Sequence, residues 1–163
     1  MKMRPLIGIT TSVNSRDYEA SNQSVIMLPA TYPKAVKAAG GIPLLLSECE
    51  DSDELLDCLD GLIISGGRDI NPKLYNQDAH EKTIDFSDSQ DKWEISLIEG
   101  AIERDIPLLC ICRGHQLLCV IRGGELFQDL PSTDGYEKHG ETGGGWSQHT
   151  VKIESNSLIS ELL

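Results

Sequence analysis

Four short apolar runs, LIGIT (6–10), IPLLL (42–46), GLIIS (61–65) and IPLLCIC (106–112), alternate with stretches whose apolar residues return at helical spacing. A strand written as a continuous apolar run is buried on both faces, and a parallel neighbour can be reached only through a crossover. The alternation therefore predicts an α/β fold, a mainly parallel sheet with helices on both sides. Helices are predicted at 29–39, 51–59, 89–104 and 113–122. The first stops at Gly40-Gly41, where glycine closes helices well. The second opens on acidic residues and repeats Leu55, Leu56 and Leu59, and the third carries the longest apolar stripe, Trp93, Ile95, Leu97, Ile98, Ala101 and Ile102. SVNSRDYEASNQS (12–24) reads as a polar connection, and 68–89 as a loop. Beyond residue 122 the pattern loosens. GGELFQDL (123–130) reads as a short strand, SQHTVKIES (147–155) as an alternating one and NSLISELL (156–163) as a helical turn or two, with GETGGGWS (140–147) as a flexible stretch.

A chain of 163 residues is long enough for one domain with a core of its own. Its five cysteines are odd in number and lack framework spacing, and the start MKMRPLIGIT has no secretory pattern, so a reducing cytoplasm is expected. No apolar run approaches the roughly 20 residues that span a bilayer. The formal net charge of -12 repels phosphates, which argues against nucleic acid and anionic membranes as partners. The acidic clusters at 48–60 and 85–94 read as solvated helix starts and loops.

Ligands of parallel sheets bind beyond the carboxyl ends of the strands, which directs attention to TTSVNS, SECE, SGGRDINP and CRGHQ. In the last of these, Cys112 stands where a strand must turn abruptly into a helix, the position of a nucleophile elbow. A thiol there meets the unpaired amides of a helix N-terminus, and Arg113 is expected to add positive charge favouring thiolate. The Arg113 amide could donate to an oxyanion, Gly66 or Gly67 could bring a second amide, and Gly114 allows tight packing. The structural alternative is a buried cysteine acting as a small hydrophobe, and Cys110, Cys119, Cys49 and Cys58 are read that way. A metal set of Cys110, Cys112 and a histidine lacks the second cysteine pair that would support it, so no metal is expected.

Taken in order, RPLIGIT (4–10), YPKAVKAAGGIPLLL (32–46), DGLIISGGRDINPKLY (60–75), the D-x-x-E of DKWEISLIEGAIERDIPLL (91–109), CICRGHQLLCVIRGGELFQDL (110–130) and HTVKIESNSLISELL (149–163) cover nearly the whole chain. Together they resemble the class I glutamine amidotransferase-like superfamily and, within it, the gamma-glutamyl-gamma-aminobutyrate hydrolase group of cysteine peptidase-like enzymes. The resemblance implies a flavodoxin-like three-layer α/β/α fold, incomplete at the C-terminus. It implies Cys112 as nucleophile, oxyanion amides from Gly67 and Arg113, and SGGRDINP as a border of the glutamyl pocket. The implied reaction is hydrolysis of a small-molecule gamma-glutamyl amide through a thioester, with no cofactor. Two positions depart from the family pattern: Cys110 stands where the elbow usually begins with glycine, and Cys119 where asparagine commonly follows the paired leucines.

The resemblance also implies a catalytic histidine and then a glutamate in strands beyond Leu163. Residues 1–163 alone are thus expected to keep only a small residual activity, since such groups act as a unit. Of the internal histidines, His115 is one turn into the elbow helix and expected to point away from the thiol. His80 is expected in a loop, and His139 and His149 away from a catalytic position. Exposed sheet is expected to favour a homo-oligomer or an unstable monomer. An inactive homologue serving as a binding module, and a thiol-responsive protein using Cys110 and Cys112, are the alternatives to a hydrolase.

Overall fold

The structure is a computed structural model and describes residues 3–18, 21–136 and 150–162. Its described residues divide into two compact units, 1–128 and 129–163.

The first unit is built on four parallel strands, β1 (Leu6–Thr10), β4 (Ile42–Leu46), β5 (Gly61–Ile64) and β6 (Leu108–Cys110), in the spatial order β4-β1-β5-β6. Leu6 to Thr10 run beside Ile42 to Leu46, Ile7 to Ile9 beside Gly61 to Ile63, and Leu62 to Ile64 beside Leu108 to Cys110. The crossovers are α1 (Thr31–Ala38), α2 (Ser52–Leu56) and α3 (Asp88–Glu103), and α4 (Arg113–Ile121) follows β6. From β1 the chain steps outward to β4, then returns past β1 to β5 and on to β6. Because crossovers are right-handed, this reversal puts α1 on one face and α2 and α3 on the other, the doubly wound α/β arrangement that the apolar runs predict.

Local chemistry explains the element ends. Ser87 caps α3, its hydroxyl accepting the Gln90 amide at 3.3 Å, and Asp88 and Asp91 lie in the positive first turn. At the end of α1, Gly40 adopts φ +89 and the amides of Gly40 and Gly41 return to the carbonyls of Lys37 and Val36. The core lies where α3 and α4 meet β5: Leu62, Ile64, Leu97, Ile98, Ala101 and Leu117 are buried together with Leu46, Leu56 and Trp93.

Several expectations change. The polar stretch 12–24 does not simply connect β1 to α1. It forms an antiparallel hairpin of β2 (Ser12–Tyr18) and β3 (Ser21–Met27), paired from Ser12↔Met27 to Tyr18↔Ser21. Backbone pairing makes a hairpin without demanding an apolar face, and here Val13 and Ile26 are exposed. The helix expected over 51–59 closes after Leu56, and residues 123–130 and 150–155 contain no strand. The loop 68–89 includes a single 3₁₀ turn, Pro72–Tyr75, where the Asn71 side chain accepts the Lys73 amide at 3.0 Å.

In the second unit, Asp129 organises a turn by accepting the Ser132 amide at 3.1 Å, and α5 (Leu158–Leu162) is short, with no buried residue. The stretch 140–147 and both His139 and His149 lie outside the described residues. Among the described residues no helix is long and apolar enough to cross a membrane.

Candidate active site

Beyond β6 the strand ladder continues for one residue, the Ile111 amide donating to the Ile64 carbonyl at 3.0 Å, and the chain then turns within Cys112. Cys112 takes φ 53 and ψ -112, a left-handed conformation that is costly for a residue with a Cβ. This geometry aims the residue out of the sheet while its carbonyl already accepts the Gln116 amide at 3.0 Å. Cys112 is exposed. The sharp reversal is possible because Gly114 lies directly on β5: a Cβ there would stand 2.5 Å from the Ile64 carbonyl oxygen.

The loop after β5 crosses the elbow. A Cβ on Gly66 would lie 3.4 Å from Cys112 Cβ and 3.8 Å from its Sγ, and one on Gly67 would lie 3.0 Å from Arg113 Cδ. Of the amides considered for an oxyanion, that of Gly66 is occupied, since it donates to the Tyr32 hydroxyl at 3.0 Å. The amides of Gly67 and Arg113 have no protein acceptor among the described residues. Two N–H groups without a protein acceptor, one from the glycine loop and one from the start of α4, thus lie on the two segments that meet at the elbow.

Tyr32 was not singled out by sequence reasoning, because only the fold carries α1 to the carboxyl end of β5. The guanidinium of Arg113 is a larger correction. Its charge is not offered to the thiol: the side chain is 1 % exposed and is held by the carboxylates of Asp91 and Glu94, themselves 1 % and 0 % exposed. Asp91 and Glu94 are three apart on α3 and so share a face. Burial drives both carboxyl groups above their ordinary range, against the lowering effect of Arg113 and their hydrogen-bond donors.

Cys110 is half-buried against the core, as expected. Burial, with the nearby Glu94 charge, pushes its thiol up to about 11. At pH 8 its thiolate fraction is about one in a thousand. Iodoacetamide at pH 8, followed by peptide mapping, is therefore expected to label Cys110 last of the five cysteines, and labelling of Cys110 ahead of Cys112 would contradict this burial. Cys49, Cys58 and Cys119, expected in the core, are exposed. Helical spacing alone did not reveal that α2 is too short to bury Cys58 or that Cys119 faces outward on α4.

His115 and His80 are exposed, and neither hydrogen-bonds Cys112 among the described residues. His80 instead accepts the Lys82 amide at 3.2 Å. The SGGRDINP loop is held from several sides. Arg68 reaches the Val13 carbonyl and the Asn14 side chain of the hairpin and pairs with Asp85 at 2.8 Å, and Asp69 accepts the Ile84 amide at 2.9 Å. No group of three or more His, Cys, Asp or Glu able to hold a metal occurs among the described residues.

Known proteins resemble this chain. Over 168 residues it is 34% identical to the protein NtpR of Enterococcus hirae, covering 99% of this chain and 70% of that one. It is 39% identical over 135 residues to the glutamine amidotransferase-like protein RP404 of Rickettsia prowazekii, covering 80% of this chain and 48% of the other. With the gamma-glutamyl-gamma-aminobutyrate hydrolase PuuD of Escherichia coli K12 it shares 31% identity over 170 residues, 98% of this chain and 65% of PuuD. The chain spans about half to two-thirds of the length of the curated relatives it matches. The Peptidase C26 family description matches residues 5–163, a span that takes in the parallel sheet, the glycine loop and the elbow. The match runs through the sheet and the elbow together, and this chain belongs to the peptidase C26 family of the class I glutamine amidotransferase-like proteins.

Proposed function

We propose that the protein hydrolyses gamma-glutamyl amide bonds, with Cys112 as the nucleophile. The observation that carries this reading is the exposed Cys112 at a left-handed elbow, bordered by the open amides of Gly67 and Arg113. The thiolate adds to the gamma-carbonyl carbon, and the oxygen, now negative, is received by the two N–H groups. Collapse breaks the C–N bond and the amine leaves with a proton. Water then attacks the thioester, giving glutamate and restoring the thiol. Similarity to PuuD supports a gamma-glutamyl-gamma-aminobutyrate-like substrate, and the free cysteines suit the reducing cytoplasm.

A second reading rests on one observation: no imidazole hydrogen-bonds Cys112 among the described residues. Under it the protein is an inactive homologue that binds gamma-glutamyl compounds as an interaction module. Glutamate release from gamma-glutamyl-gamma-aminobutyrate and a panel of gamma-glutamyl amides separates the two. Release by the parent that disappears in Cys112→Ala is the expected result. No release from either protein would overturn the hydrolase reading and leave the binding module.

A further inference from the structure

We infer that the side chain of Arg113, with Asp91 and Glu94, is a positioning device that holds the two oxyanion amides of the proposed site in register. The inference rests on Cys112 and those amides forming an acyl-transfer site. It assigns a role to three side chains that make no contact with the thiol.

The two open amides belong to separate pieces of chain, the loop after β5 and the start of α4, and their relative position has to be set by something common to both. The buried ion cluster is that common element. From α4, the two terminal nitrogens of Arg113 divide between Asp91 and Glu94. On the loop side, the Asn71 amide donates to the second oxygen of Asp91 at 3.0 Å, and Gly67 packs on the aliphatic stem of Arg113. The other oxygen of Glu94 receives the Gln90 side chain at 3.2 Å. One cluster therefore grips the loop near both ends and fixes the first residue of the elbow helix.

Stability by itself does not account for this choice. An ion pair taken out of water repays little of its desolvation, and apolar replacements of the same shape are often as stable. The planar fork of arginine, bound at both ends, instead defines an orientation as well as an attraction. The Arg113 amide and side chain leave the same Cα, so a bound guanidinium on a buried stem restrains where that N–H can lie.

The test compares two reactions of one thiol. Acylation by p-nitrophenyl acetate passes through a tetrahedral oxyanion: thiolate adds to the carbonyl, p-nitrophenolate leaves and a thioester remains. Alkylation by iodoacetamide displaces iodide at carbon and needs no oxyanion site. Both rates scale with the same thiolate fraction, so their ratio, read at Cys112 by peptide mass mapping, reports the amides alone.

In the parent, that ratio is expected to exceed the ratio at exposed Cys49. Arg113→Lys keeps a cation but loses the fork, and its ratio is expected to fall about tenfold, as misplacing an oxyanion donor would. Glu94→Gln, nearly the same shape, should retain the fold and lose about threefold, a smaller part of the same effect. Iodoacetamide rates should stay near the parent's, because displacement of iodide at carbon draws on no oxyanion donor. A Glu94→Gln ratio equal to the parent's, or a parent ratio no greater than that of Cys49, would overturn the inference. No gamma-glutamyl compound is used, so an inability to hydrolyse such compounds would refute the proposed substrate and leave this result standing.

Discussion

Arg113→Ala is expected to cost about 3–5 kcal/mol of folding stability, the usual penalty for removing one partner from a buried ion pair. The loss is large because it strips the cation from two buried carboxylates, Asp91 and Glu94, and leaves both without charge compensation. Such a cost is a large part of the roughly 5–15 kcal/mol that holds a typical domain together. Urea unfolding of the parent and the variant measures it directly as a lower midpoint.

The deficit should also depend on pH, and its sign follows from linkage. Burial raises both carboxyl groups above their ordinary values of 3.8 and 4.5 in the folded protein, and loss of Arg113 removes an effect that lowers them. In the variant the folded state therefore retains protons that the unfolded state has already released. Stability then falls as pH rises from the ordinary carboxylate range through the raised folded values. Relative to the parent, Arg113→Ala should recover at pH 5 part of what it loses at pH 8. A midpoint deficit that is constant between these pH values would show that the carboxylates do not carry the cost.

Gly114→Ala is the second large effect, expected to destabilise by about 2–3 kcal/mol through overpacking. The added methyl would meet the Ile64 carbonyl oxygen at 2.5 Å, and its Cγ2 and Cβ at 2.8 and 2.9 Å. Backbone of a central strand cannot swing aside, so the start of α4 must lift, and Cys112 and the Arg113 amide lift with it. Acylation of Cys112 should therefore fall while its alkylation persists. Gly100→Ala is the internal comparison: there the closest atom, at 2.6 Å, is Leu56 Cδ1, the end of a side chain able to change rotamer. Thermal unfolding should rank Gly114→Ala well below Gly100→Ala, and the opposite order would contradict the close helix-to-strand approach.

The parts of the fold legible in the sequence are those governed by neighbours along the chain. LIGIT, IPLLL and GLIIS become β1, β4 and β5, the middle of IPLLCIC becomes β6, and the stripe from Trp93 to Ile102 lies within α3. A period of apolar residues states which face is buried before any partner is known. The place of Cys112 was readable for the same reason: a buried strand run adjoining a helical one leaves room for only a sharp turn. The hairpin of β2 and β3 was not readable. Its stability comes from main-chain pairing across a polar stretch, and no apolar alternation marks it.

By itself, then, the sequence determined the alternation of strands and helices, the parallel sheet and the elbow, because each depends on local periodicity and turn chemistry. Tertiary structure decided which groups meet at that elbow. It occupied the Gly66 amide with Tyr32, left that of Gly67 open, turned Cys119 outward, and committed the Arg113 charge to Asp91 and Glu94. The contacts of Gly66 with Tyr32 and of Arg113 with Asp91 and Glu94 join residues 34, 22 and 19 positions apart. Their energies come from desolvation and close approach, which exist only once the helices have packed on the sheet.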